Sequence, residues 1–222
     1  MAFTKTMEHE ISMVMDTEPD FGRSALITVD IQNDTLDDQP FGIKGTYEII
    51  PNVKKMLEAY RGKGKAIIHV IRIYKRDGSN ADLCRREAIS MGRGFLLEDE
   101  RGAEPVHELL PAERCAIDFP MLLAGGIQKI GKNEVLIYKP RWGAFYKTPL
   151  GQYLGRNEID TLVIAGCNFP NCPRTTIYEA SERDFKIVAA RDAISGIYEL
   201  GIRELRNIGV KVLSSGQIVD QL

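Results

Sequence analysis

Six short apolar runs, mostly unbroken by polar residues, constrain this chain more than any other feature. They are Ala25-Leu26-Ile27-Thr28-Val29, Ala66 to Ile71, Val135 to Tyr138, Leu162 to Ala165, Ile187 to Ala190 and Val210 to Leu213. A strand exposed on one face alternates polar and apolar residues, whereas a strand apolar throughout needs cover on both faces. That is the situation of a parallel sheet sandwiched between helices. Helical spacing fills the gaps between the runs. Ile49, Val53, Met56, Leu57 and Tyr60 recur every three to four residues, with Gly62 placed for a left-handed cap. Gly151 and Gly155 punctuate a short helix, and Ile197 to Asn207 repeats the pattern before Gly209. Alternating strand and helix predicts a doubly wound α/β sandwich.

The 222 residues and the 44% hydrophobic content suit one domain with a sizeable core. The segment 74–132 interrupts the rhythm. It opens with a turn composition at Asp77-Gly78-Ser79-Asn80, and an excursion of this length predicts a lid, an oligomer contact or a plain insertion. Lys129 to Lys132 reads as a polar turn.

A formal net charge of −2 without a basic cluster argues against nucleic-acid binding. No apolar stretch approaches the ~20 residues that span a bilayer, and Met1 to Phe21 has no signal-peptide pattern. A cytosolic, non-membrane protein is expected. Cys84, Cys115, Cys167 and Cys172 are too few for a disulfide framework. His9, His69 and His107 do not pair with them at zinc-site spacings, so no metal is expected. Cys84 and Cys115 read as buried, inert hydrophobes, Cys167 as packed rather than reactive, and His69 as a satisfied core histidine.

Ligands of an open parallel sheet bind beyond the carboxyl ends of its strands. Asp30 follows the first run, Lys139 the third, and the stretch Gly166-Cys-Asn-Phe-Pro-Asn-Cys172-Pro-Arg-Thr-Thr176 the fourth. A carboxylate, an ammonium and a thiol thereby converge on one edge. Pro173 suits the first position of a helix running through Thr175 to Arg183, which puts Cys172 at the N-cap. Unpaired N–H groups and the helix dipole there favour an anion. The expectation is a thiolate, with its pKa depressed from ~8.5 into the range ~3.5–7.5 and Lys139 acting in the same sense. Taken singly, Asp30 is as well explained as a cap and Lys139 as a surface charge; the convergence makes them candidates. There is no GxGxxG, P-loop or GxSxG element.

Val29-Asp30-Ile31-Gln32-Asn33-Asp34, then Lys139-Pro-Arg-Trp-Gly-Ala-Phe145 with Thr148 and Leu150, then Gly166 to Thr176 resemble the three signature segments of the isochorismatase-like cysteine hydrolases. The resemblance runs from about Ser24 to Leu213. It implies a three-layer fold whose six-stranded, mainly parallel sheet is covered by helices on both faces. It also implies an Asp30–Lys139–Cys172 triad and an oxyanion hole from the N–H groups of Asn168 and Cys172, with a cis peptide at Cys167-Asn168. The implied reaction is hydrolysis of a small amide, ureido or carbamoyl C–N bond without a cofactor, in a homo-oligomer, commonly a dimer or tetramer. The stretch after the second run lacks the Asp-x-His motif of nicotinamidases, so neither nicotinamide hydrolysis nor a bound metal is expected. Cys172 separates the chain from siderophore-pathway isochorismatases.

Arg141, Trp142 and Arg174 are the candidate substrate contacts, through carboxylate pairing and stacking. Trp142 serves equally well at an oligomer interface, and Arg174 at the surface. Two other readings stay open: a thiol redox protein using Cys167 and Cys172, and a non-catalytic binding member of the fold.

Overall fold

The structure, a computed structural model, describes residues 16–111 and 116–222. Seven strands form one sheet: β1 (Ser24–Val29), β2 (Ala66–Ile71), β3 (Ile127–Gly131), β4 (Glu134–Tyr138), β5 (Thr161–Gly166), β6 (Lys186–Ile194) and β7 (Lys211–Leu213). Their order is β3-β4-β2-β1-β5-β6-β7. All neighbours are parallel except β3, which pairs antiparallel with β4.

The six parallel strands are the six apolar runs. The sequence reading missed β3, and Lys129 to Lys132, read there as a polar turn, lies largely within it. Gln128 and Ile130 are buried while Lys129 is exposed. That alternation belongs to an edge strand covered on one face, and a search for unbroken apolar runs passes over it.

Side chains of β1 point alternately to two cores. Ala25, Ile27 and Val29 join residues of α4 (Leu150–Arg156), α5 (Cys172–Ser181) and α6 (Glu199–Asn207). Leu26 packs on the opposite side with α1 (Thr46–Gly62) and α7 (Ser215–Val219). The predicted stripe of α1 is buried throughout, and each fully buried aliphatic side chain contributes about 1.5–3 kcal/mol. The end of α1 differs from expectation: Gly62 is still helical, and Gly64 takes the left-handed turn at φ +64°.

The excursion 74–132 includes α2 (Leu83–Ser90) and α3 (Phe119–Leu123) and packs as a third cluster. Tyr74, Ile89, Leu96, Phe119 and Leu122 lie against Leu136 and Tyr138 of the sheet. No helix among the described residues is long and apolar enough to cross a membrane.

Outward from β1 the chain proceeds to β2 and β4 on one side and to β5, β6 and β7 on the other. The reversal of strand order therefore falls between β1 and β5. In such sheets a crevice opens there beyond the carboxyl ends.

Candidate active site

Asp30 follows β1 in the left-handed region, at φ +52°, a conformation that aspartate tolerates better than most residues. Its main chain is pinned from three sides. The N–H donates to Val70 O at 2.9 Å, and the carbonyl accepts from Thr35 Oγ1 at 3.1 Å and Cys167 Sγ at 2.8 Å. The following residues attach the excursion to the sheet. Fully buried Gln32 donates to the carbonyls of Arg72 and Ala103 and accepts from Arg72 N–H. Asp34 accepts from Leu96 N–H.

Lys139 follows β4, with its N–H on Ile71 O. Its side chain is wholly buried, and Nζ lies 2.8 Å from Asp30 Oδ2. Nζ also donates to Arg141 O at 3.2 Å. Asp30 Oδ1, buried too, has no hydrogen-bond partner among the described residues.

Gly166 ends β5 at φ +136°, where a Cβ would stand 2.2 Å from Val29 O. Only glycine lets β5 close so tightly on β1. The peptide bond that follows, Cys167-Asn168, is cis. Asn171 caps α5, so Cys172 and Pro173 occupy its first two positions rather than the N-cap and first position expected. Cys172 is 7% exposed.

Burial drives the Cys172 thiol up to about 11; the Asp30 carboxylate adds to this, and Lys139 only partly offsets it. The expected resting thiolate is therefore corrected to a neutral thiol. Desolvation at this depth disfavours the anion more than the helix start favours it. Cys167 is fully buried and its thiol is raised as well, chiefly by burial.

Asp30, Arg72, Arg85, Phe95, Trp142, Asn168 and Cys172 line one narrow cavity of about 30 Å³. A far larger surface depression of about 440 Å³, between Asp16 and Val210, has no cysteine in its lining. Asp30, Lys139 and Cys172 thus come together, with Asn168 alongside.

Of the candidate substrate contacts, Trp142 alone faces this cavity. Arg141 turns back on the main chain, donating to the carbonyls of Asn80 and Pro140. Arg174 lies two residues beyond Cys172, roughly 200° round the helix. It bonds Tyr198 and Glu204 and stacks on Phe169 and Tyr178.

Cys84 is exposed rather than buried, because it sits on the outer side of α2. Cys115 and His9 lie outside the described residues. His69 is a satisfied core histidine, held between Thr28 Oγ1 and Glu134 Oε1 at 2.7 Å each.

Arg72, Arg85 and Phe95 escaped the sequence reading. Arg72 directly follows the second apolar run, so the strand-end rule that located Asp30 and Lys139 would also have found it. At the end of β2 it presents a cation where a metal site needs carboxylates or imidazoles. Among the described residues no three His, Cys, Asp or Glu side chains are grouped to hold a metal.

The isochorismatase domain profile matches residues 24–118 and 127–217. A probable inactive nicotinamidase of Arabidopsis thaliana is 31% identical over 195 residues, 85% of this chain and 90% of that protein. N-carbamoylsarcosine amidase of an Arthrobacter species is 30% identical over 208 residues, 90% of this chain and 71% of the amidase. The crystal structure of an isochorismatase family protein from Desulfovibrio vulgaris superposes with a TM-score of 0.74 at 29% identity, covering 89% of this chain and 97% of that one.

Proposed function

The chain belongs to the isochorismatase family, and from that premise we propose that it is a cysteine amidohydrolase, cleaving a small non-peptide C–N bond at Cys172. The observation that carries this reading is a buried thiol sharing one cavity with a carboxylate that has one oxygen on Lys139 and the other free.

Asp30 Oδ1 accepts the thiol proton as sulfur attacks the amide carbonyl. The new C–S bond forms as the carbonyl π electrons move onto oxygen. A thiol held neutral at rest suits this order, because proton transfer and attack proceed together and no charged sulfur is stored in a dry site. The main-chain N–H groups of Asn168 and Cys172 make no hydrogen bond among the described residues, and both residues line the cavity. They are the donors for the oxyanion, each worth roughly 3–4 kcal/mol in comparable sites.

Collapse of the adduct breaks the C–N bond, and Asp30 returns the proton to the departing amine. Water then adds to the thioester with Asp30 as base, and breaking the C–S bond releases a carboxylic acid and restores the thiol. Lys139 keeps Asp30 oriented and balances its charge. Cys167 is a positioning residue, its thiol committed to the Asp30 carbonyl, which leaves it poorly placed for a redox partnership with Cys172.

The test is ammonia release from a panel of small primary amides, ureido acids and carbamoyl compounds. Cys172→Ala should lose turnover by roughly 10³-fold or more with an unchanged circular dichroism spectrum. Near-normal turnover in that variant would refute the assignment.

A further inference from the structure

Arg72 is 2% exposed, yet its guanidinium is only half used. Nη1 reaches both carboxylate oxygens of Asp82, at 3.1 and 2.9 Å, and Pro140 O at 2.8 Å. Among the described residues Nε and Nη2 have no hydrogen-bond partner, on a residue that lines the cavity with Asp30 and Cys172. Buried unpaired donors on a charged group are costly, and native proteins rarely leave them so without a use.

Arg85 borders the same cavity, half-buried. Its Nη1 donates to the Tyr74 hydroxyl, and among the described residues no carboxylate lies within ion-pair distance of it. Its guanidinium stands over Trp142 at 4.9 Å and Phe95 at 5.0 Å.

The charges around the cavity do not cancel. Lys139, Arg72 and Arg85 contribute three positive charges, Asp30 and Asp82 two negative ones, and Cys172 is neutral. One net positive charge in a poorly hydrated crevice is complemented by a monoanion. A planar fork with two vacant donors fits a carboxylate best. Arg72 lines the same narrow cavity as Asp30 and Cys172, so the anion and the reacting carbonyl are separated by only a short spacer.

We propose that the site takes a short-chain amide whose far end is a carboxylate, seated on the free edge of the Arg72 guanidinium with Arg85 covering it. This rests on the hydrolase reading for the identity of the amide end, but it can be tested without turnover.

The test is calorimetric titration of the Cys172→Ala protein with malonamate, succinamate and glutaramate, each beside its neutral diamide. At least one monoanion should bind about tenfold or more tightly than its diamide, the range expected for a charge-assisted pair. Arg85→Met, which leaves the Arg72–Asp82 pair intact, should reduce that preference several-fold without weakening the diamide. Arg72→Met combined with Asp82→Asn removes both buried charges together and should abolish it.

Equal affinity for acid and diamide at all three lengths, no binding by any acid, tighter binding of inorganic phosphate, or a preference indifferent to both sets of substitutions would each overturn the proposal. The two readings separate cleanly. Acid-selective binding without ammonia release by the unaltered protein defeats the hydrolase and spares the carboxylate seat. Release from diamides as fast as from acids does the opposite.

Discussion

Lys139 Nζ sits 2.8 Å from Asp30 Oδ2, with the lysine side chain wholly out of solvent and the aspartate nearly so. Neither charge has water to fall back on, so each depends on the other. Lys139→Met should therefore destabilise the fold by about 3–5 kcal/mol, the usual consequence of stranding one member of a buried pair. Chemical denaturation measures this, and a loss under 1 kcal/mol would mean that Asp30 is far better solvated than its burial indicates.

Asp30→Asn separates charge from position. The Asp30 carboxylate raises the Cys172 thiol, so removing its charge lowers the thiol pKa and increases the thiolate fraction at any pH below it. Iodoacetamide should label Cys172 faster in this variant at pH 9, about tenfold for each unit the pKa falls. Ammonia release should nevertheless collapse, because the proton acceptor is gone. Slower labelling would contradict the assigned electrostatics. In the unaltered protein labelling should climb with pH toward about 11, rather than saturating near neutrality.

Gln32 makes three hydrogen bonds at full burial, two to Arg72 and one to Ala103. Gln32→Leu fits the volume but leaves those main-chain groups unpaired. A stability loss of about 2–5 kcal/mol is expected, with kcat reduced because the Arg72 main chain loses its brace. Unaltered thermal stability and kcat would show the bonds to be dispensable.

Glu134 sets an acid limit on stability. Burial raises its pKa, but Arg61 and His69 outweigh this and hold it down at about 2, against 4.5 for a free glutamate. A depressed carboxylate stabilises the fold fully above pH 4.5, and the contribution fades as pH falls toward 2. The stake is about 3 kcal/mol. Urea midpoints measured from pH 5.5 down to 2.5 should decline in the unaltered protein and decline less in Glu134→Gln. Parallel curves would remove Glu134 from the account.

Much of this architecture is legible in the amino-acid sequence. The parallel strands declare themselves because burial on both faces demands unbroken apolar runs, and the strand ends then point to Asp30, Lys139 and Cys172. β3 was hidden because an edge strand keeps one polar face. The protonation state of Cys172 was misjudged for a different reason. A helix start can be inferred from Pro173, but the depth of burial that overrides it is a property of the whole packing. Arg141 and Arg174 are near the triad in sequence but turned away from the cavity, whereas Arg85 and Phe95 reach it from an excursion whose path no local pattern reveals.

Asp30, Lys139 and Cys172 are anchored by the sheet, while Arg85 and Phe95 arrive from the 74–132 excursion, which has its own small core. Substitutions in that outlying segment can therefore redraw the cavity wall without moving the reacting groups. In a lineage built this way, substrate preference is free to diverge quickly while the bond-breaking apparatus stays put.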